Sequence, residues 1–214
     1  MNYTETVFVK RRAMHRLPNI ITLSRVPCLF IISGFIACDV RGSDTLAFAF
    51  FLLAAISDFL DGWLARLMGA ISNFGKLMDA LTDKILNVGL FIFLLVYPAD
   101  QPLLPTASAF CVVVILVREL LITGLRLVAA SSNMVLAAER SGKIKTFLQV
   151  AAIALLLFSH AARTEWALPP AFIDKAHIAA LSCFYIATLL TVTSGASYLI
   201  KYWHVFMDEP PPKP

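Results

Sequence analysis

The chain has 214 residues, of which 59% are hydrophobic and only 15% charged, and its mean hydropathy is +0.78. That balance excludes an ordinary soluble globular domain and makes lipid the solvent for most of the chain. The net charge of +4 is not a nucleic-acid signature, because Lys and Arg lie mainly between the apolar runs, where they mark a membrane surface.

Residues 1–16 form a basic N-terminal segment with Lys10, Arg11, Arg12 and Arg16. It reads either as an interfacial helix on an anionic leaflet or as a disordered basic arm. The following apolar run superficially looks like a signal peptide, but Arg25 and Pro27 interrupt it, so it is read as a retained helix. Apolar runs then follow at 17–38, 44–68, 75–97, 103–130, 142–162 and 176–203, separated by stretches where Gly, Pro, Ser and charge collect. Since crossing a hydrocarbon core of about 30 Å takes roughly 20 apolar helical residues, the predicted fold is all-α: a polytopic membrane helix bundle with six transmembrane helices over residues 17–203. Residues 204–214, ending in EPPPKP, read as a tail that is disordered at its end.

Positive charge clusters before the first run, at Arg66 and Lys76, and at Arg126, Arg140, Lys143 and Lys145, while the opposite connections carry little. The positive-inside rule therefore places both termini and these loops in the cytoplasm. Cys28, Cys38, Cys111 and Cys183 show no metal-ligand spacing and read as free thiols. His15, His160, His177 and His204 likewise fit no ligand pattern.

Chemistry concentrates between positions 58 and 83. Asp58 and Asp61 are three apart, Asp79 and Asp83 four apart, so each pair shares one helix face. A short connection between the two helices makes them antiparallel neighbours and brings the four carboxylates to one depth. Ionisable groups inside a membrane cost about 2.5 to 3.5 kcal/mol each on insertion scales, and divalent cations offset that cost. Hard oxygen ligands beside a phosphate substrate favour Mg²⁺ or Mn²⁺. The alternative is solvated aspartates paired with Arg66, Lys76 and Lys84. Small residues at Gly62, Ala65 and Gly75 allow a bulky ligand to approach the backbone, or simply let helices pack closely.

Read continuously, Asp58-x2-Asp61-Gly62-x2-Ala65-Arg66-x8-Gly75-x3-Asp79-x3-Asp83 resembles the signature of the CDP-alcohol phosphatidyltransferase family at every fixed position. The resemblance implies that Asp58, Asp61 and Asp79, with part of Asp83, hold two divalent ions on the pyrophosphate of a CDP-linked lipid. It assigns Asp83 as the general base that takes the proton from the attacking alcohol, and places Gly62, Ala65 and Arg66 against the cytidine nucleotide. It also implies a homodimer.

Outside the signature, the segment from Leu17 to Arg25, with Asn19, Thr22 and Arg25 on one helix face, resembles the bacterial members of that family that use glycerol 3-phosphate. So do Arg118-Glu119-Leu120 and the stretch from Gly142 to Gln149. An acceptor carrying a phosphate dianion needs fixed cations, and Arg118, Arg126, Lys143 and Lys145 are the candidates. For Lys143 and Lys145 an ordinary anchoring role at the membrane surface competes with substrate binding. Arg118 lies too far into its run for a simple anchor, and Glu119 points about 100° away on a helix, so a phosphate or another helix is its expected contact. The expected partners are thus CDP-diacylglycerol, glycerol 3-phosphate and membrane lipid in a bacterial cytoplasmic membrane. Other acceptors within the family are inositol phosphate, serine and phosphatidylglycerol. An intramembrane prenyltransferase would carry its aspartates in two separated loops, and a cation-coupled transporter would not call for the glycine and alanine spacers.

Overall fold

In the computed structural model of the protein, residues 24–38, 40–68, 73–97, 102–131, 140–166 and 168–207 are described. For 59–68, 73–80, 83, 130, 131, 140, 141 and 204–207 this extends to the backbone alone. Every regular element among them is helical. The order is α1 (Ser24–Ala37), α2 (Ser43–Met68), α3 (Asn73–Leu94), a 3₁₀ turn (Thr106–Ser108), α4 (Ala109–Ser131), α5 (Arg140–Thr164) and α6 (Pro170–Met207).

The punctuation is local chemistry. Gly42 adopts φ 95°, a left-handed conformation open to glycine at no steric cost, and lets the chain reverse between α1 and α2. Ser43 Oγ donates to the Cys38 carbonyl at 2.7 Å across that reversal. Pro170 opens α6 as its first residue, where a missing N–H costs nothing. Past α3 the chain folds back on itself, Leu104 N donating to the Leu94 carbonyl at 3.0 Å.

All-α architecture with membrane-spanning character stands, but the expectation of six transmembrane helices does not. Among the described residues three helices are long and apolar enough to cross a membrane: Thr106–Ala129, Gly142–Thr164 and Pro170–Trp203. Ser24–Ala37 and Lys84–Leu94 are apolar but shorter. Asp58, Asp61 and Arg66 interrupt the apolar course of α2, whose uncharged run from Thr45 to Ser57 covers roughly 20 Å, and Lys76, Asp79, Asp83 and Lys84 interrupt the first half of α3. The basic segment 1–16 lies outside the described residues, whereas α6 continues to Met207, four residues into the expected tail.

α5 packs against α6, α2 and α3, while α4 packs against α6 and α3. The shared core includes Ile32, Phe51, Phe91, Ile115, Leu156 and Phe184, with Phe91 and Phe184 edge to face at 5.1 Å between centroids. α1 nests on α3 where Leu29 lies over Gly89, so close that a Cβ on Gly89 would sit 2.6 Å from the Leu29 side chain. Outward positions are apolar as well: Phe110, Phe147 and Ile200 are at least 70% exposed, as expected where the surroundings are hydrocarbon. Along α6 the hydroxyls of Ser182, Thr188, Thr191, Thr193 and Ser197 donate to carbonyls one turn back, which satisfies them inside the helix itself.

Candidate active site

The first turn of α2 meets the last turns of α5, so the two helices run antiparallel. Thr164 Oγ1 donates to Asp44 Oδ2 at 2.6 Å, and His160 Nε2 lies 3.3 Å from Asp44 Oδ1. From that common level, Asp58 is about 21 Å on along α2 and Lys145 about 22 Å back along α5, at 1.5 Å per residue. The signature aspartate and the buried lysine therefore lie at comparable depth. α3 connects the two sets directly, because Lys84 is the neighbour of Asp83 in sequence.

Asp58 is half-buried, and the Arg25 guanidinium of α1 donates to its Oδ1 in an ion pair. This links α1 to the α2 motif. The cation is none of those weighed from sequence, since Arg25 belongs to a different helix. Asp61, Gly62, Ala65 and Arg66 follow Asp58 on continuous α2 helix, and Gly75, Asp79 and Asp83 lie on α3. Helical periodicity thus keeps each aspartate pair on one face. The side chains of these seven residues, and Asn19 and Thr22 entirely, lie outside the described residues.

The acceptor candidates divide. Lys145 is buried at 3% exposure and donates to Glu119 Oε1 of α4, itself 6% exposed. Lys84 Nζ of α3 stands 4.0 Å from Glu119 Oε2, and Arg118 Nη1 stands 3.7 Å from Oε1. Arg118 Nη2 also donates to Ser194 Oγ of α6 at 3.1 Å, so another helix is indeed one of its contacts. Lys143 is exposed. Arg126 lies apart: its Nε donates to the Tyr198 hydroxyl at 3.4 Å and its guanidinium stands 5.2 Å from that ring's centroid. The sequence names Lys84 only as a partner for the aspartates, and neither its place beside Glu119 nor the hub role of Glu119 was foreseen. A Glu and a Lys in buried helical runs were the available signal, but their meeting is a tertiary fact.

At the opposite end, Glu165 closes over the start of α2. It accepts hydrogen bonds from Gly42 N at 2.8 Å, Asp44 N at 3.0 Å, Thr45 N at 3.1 Å and the Thr45 hydroxyl. Desolvation works against its ionised form, but these bonds outweigh it and hold the carboxyl below its ordinary value. A cavity of about 920 Å³ opens there, lined by Arg41, Asp44, Tyr97, His160, Arg163 and His177 among others. Its distance along α2 from Asp58 separates it from the aspartate motif.

The chain matches the model of the CDP-alcohol phosphatidyltransferase family over residues 15–195. It is 34% identical to a CDP-diacylglycerol--glycerol-3-phosphate 3-phosphatidyltransferase of Bacillus subtilis (strain 168), over 89% of this chain and 96% of that protein. A protein of the same name from Rickettsia bellii (strain RML369-C) is 30% identical over 85% of this chain and 92% of its own length. A chloroplastic/mitochondrial form from Arabidopsis thaliana is 31% identical over 89% of this chain and 64% of its own. With the aspartate signature running along α2 and α3 and the match reaching from the first helix into α6, the chain belongs to the CDP-alcohol phosphatidyltransferase family and is a membrane enzyme that transfers a phosphatidyl group.

Proposed function

We propose that the protein transfers the phosphatidyl group of CDP-diacylglycerol to glycerol 3-phosphate, releasing CMP and forming phosphatidylglycerophosphate, at the cytoplasmic face of a bacterial membrane. The observation that carries this reading is the gathering of Lys84, Arg118 and Lys145 around Glu119 at the depth of Asp58. A partly buried group of cations is what an acceptor with its own phosphate dianion requires, and an uncharged alcohol does not. The names of the relatives from Bacillus, Rickettsia and Arabidopsis support the same acceptor.

The donor set suits Mg²⁺ or Mn²⁺. It consists of carboxylate oxygens, Asp58 is half-buried, and the flanking backbone is regular helix that fixes the spacing of Asp61, Asp79 and Asp83. Two such ions, held by Asp58, Asp61, Asp79 and Asp83, would neutralise the pyrophosphate and ease the departure of CMP. Gly62, Ala65, Arg66, Gly75, Asn19 and Thr22 bound the CDP-lipid. Asp83 accepts the proton of the acceptor's primary hydroxyl, whose oxygen bonds to the phosphorus of the phosphatidyl group as the bond from that phosphorus to the bridging oxygen breaks. The bridging oxygen leaves on CMP. The cationic group orients the acceptor so that its hydroxyl, rather than its phosphate, faces that phosphorus.

Purified protein given CDP-diacylglycerol and a panel of alcohols tests the reading by product mass and CMP release. Glycerol 3-phosphate should give phosphatidylglycerophosphate, dependent on added Mg²⁺ or Mn²⁺. Reaction with serine or inositol phosphate instead would overturn the acceptor.

A further inference from the structure

We propose that Glu119 is a positioning residue: its buried carboxylate draws Lys84, Arg118 and Lys145 from three helices into one phosphate-recognition cluster, which α6 steadies through Ser194 and Gly195. This deepens the acceptor reading and rests on it.

Neutralising a buried carboxylate takes one cation, and Lys145 already donates to Glu119. Yet Lys84 and Arg118 also stand within 4.0 Å of the same carboxylate. Three cations around one carboxylate exceed what a helix-to-helix ion pair needs, and buried pairs are in any case weak sources of stability. The central negative charge offsets the mutual repulsion of the three cations at low dielectric. With it, they are held side by side, and an incoming phosphate finds its counter-charges already assembled. Preorganisation of this kind is where recognition energy is gained.

The α6 side is built for Arg118. Ser194 accepts a hydrogen bond from Arg118 Nη2 at 3.1 Å and is itself 6% exposed. Gly195 leaves room for the arginine stem: a Cβ there would meet Arg118 Cγ at 2.9 Å and Nε at 3.3 Å. Cγ is the near part of the side chain, which cannot swing aside without moving the guanidinium. A glycine at 195 thus sets the track along which Arg118 crosses from α4 towards α6, and Glu119 sets where the neighbouring lysine ends.

The experiment is steady-state kinetics of purified Glu119→Gln, Glu119→Asp, Ser194→Ala and Gly195→Ala in detergent micelles, with both substrates varied. Glu119→Gln should raise the acceptor KM about tenfold or more while the CDP-diacylglycerol KM stays within about twofold. Glu119→Asp should recover part of that loss because it restores the charge. Gly195→Ala and Ser194→Ala, acting from α6, should raise the same KM by smaller factors and carry the test if Glu119→Gln does not fold. An unchanged acceptor KM, or parallel rises in both KM values, would overturn the proposal and leave Glu119 a packing residue. If the wild type prefers a different phosphorylated alcohol, the acceptor reading falls and the KM split is read on that alcohol. If it prefers an acceptor without phosphate, both fall.

Discussion

Asp83 and Lys84 are adjacent, yet the proposed function gives them to opposite halves of the chemistry. One carboxylate is assigned to the hydroxyl proton, and one ammonium joins the group around Glu119. Asp83→Asn keeps the shape and removes the basic site, so turnover should fall by at least about a hundredfold, while binding of CDP-diacylglycerol in a direct assay persists. Loss of binding instead would make Asp83 chiefly a metal ligand. That the aspartates lie on two helices was legible in the sequence, because their relation is short-range: spacings of three and four on a helix fix a common face before any tertiary contact forms. Glu119 was not legible as a hub. The angle of about 100° between neighbours argued against a meeting with Arg118, but long side chains curl, and the two groups come within 3.7 Å. The stronger contact, from Lys145, joins positions on different helices, and no local pattern encodes it. Arg25 is the same lesson at the first helix: its face was visible, whereas its partner Asp58 is set by how α1 crosses α2.

At the level of elements, α2 is fastened at its first turn by residues that follow α5. Glu165 supplies acceptors for the orphan N–H groups of its first turn, and the Trp166 indole donates to Thr45 Oγ1 at 2.8 Å. Since the folded Glu165 carboxyl is held below its ordinary value, its contribution to stability is fully present above the unfolded pKa. It fades as pH falls through the lower, folded one. Glu165→Gln should therefore lower the thermal midpoint of the detergent-solubilised enzyme at neutral pH, by an amount in keeping with a lost helix cap of about 1 kcal/mol. The difference from wild type should shrink as the pH is brought below the ordinary carboxylate range. A deficit constant with pH would contradict the assignment. Helix positions were readable from the apolar runs to within a few residues, α2 and α5 especially. The number able to cross a membrane, three among the described residues, was not; the apolar runs at α2 and α3 also include the charged motif itself. Function occupies the place where the apolar pattern fails.

For the molecule as a whole, the helices sort polar features to two levels, with the aspartates and the Glu119 group at one and Glu165, Asp44 and the cavity at the other. Cys38 is exposed at the turn after α1, on the level of Glu165, whereas Cys28, Cys111 and Cys183 are partly buried within helices. A maleimide added to the detergent-solubilised protein should therefore modify Cys38 first, and Cys38→Ser should abolish most of the rapid labelling. Equal rates at all four cysteines would contradict this arrangement.

α6 carries a further consequence. Its 38 residues span about 57 Å, well beyond a hydrocarbon core of about 30 Å. Such a helix tilts or projects, and by how much depends on the thickness of the host membrane. Ser194 and Gly195 ride on this helix while Arg118 rides on α4, so a change in the tilt of α6 is felt at the contacts that seat the Arg118 side chain.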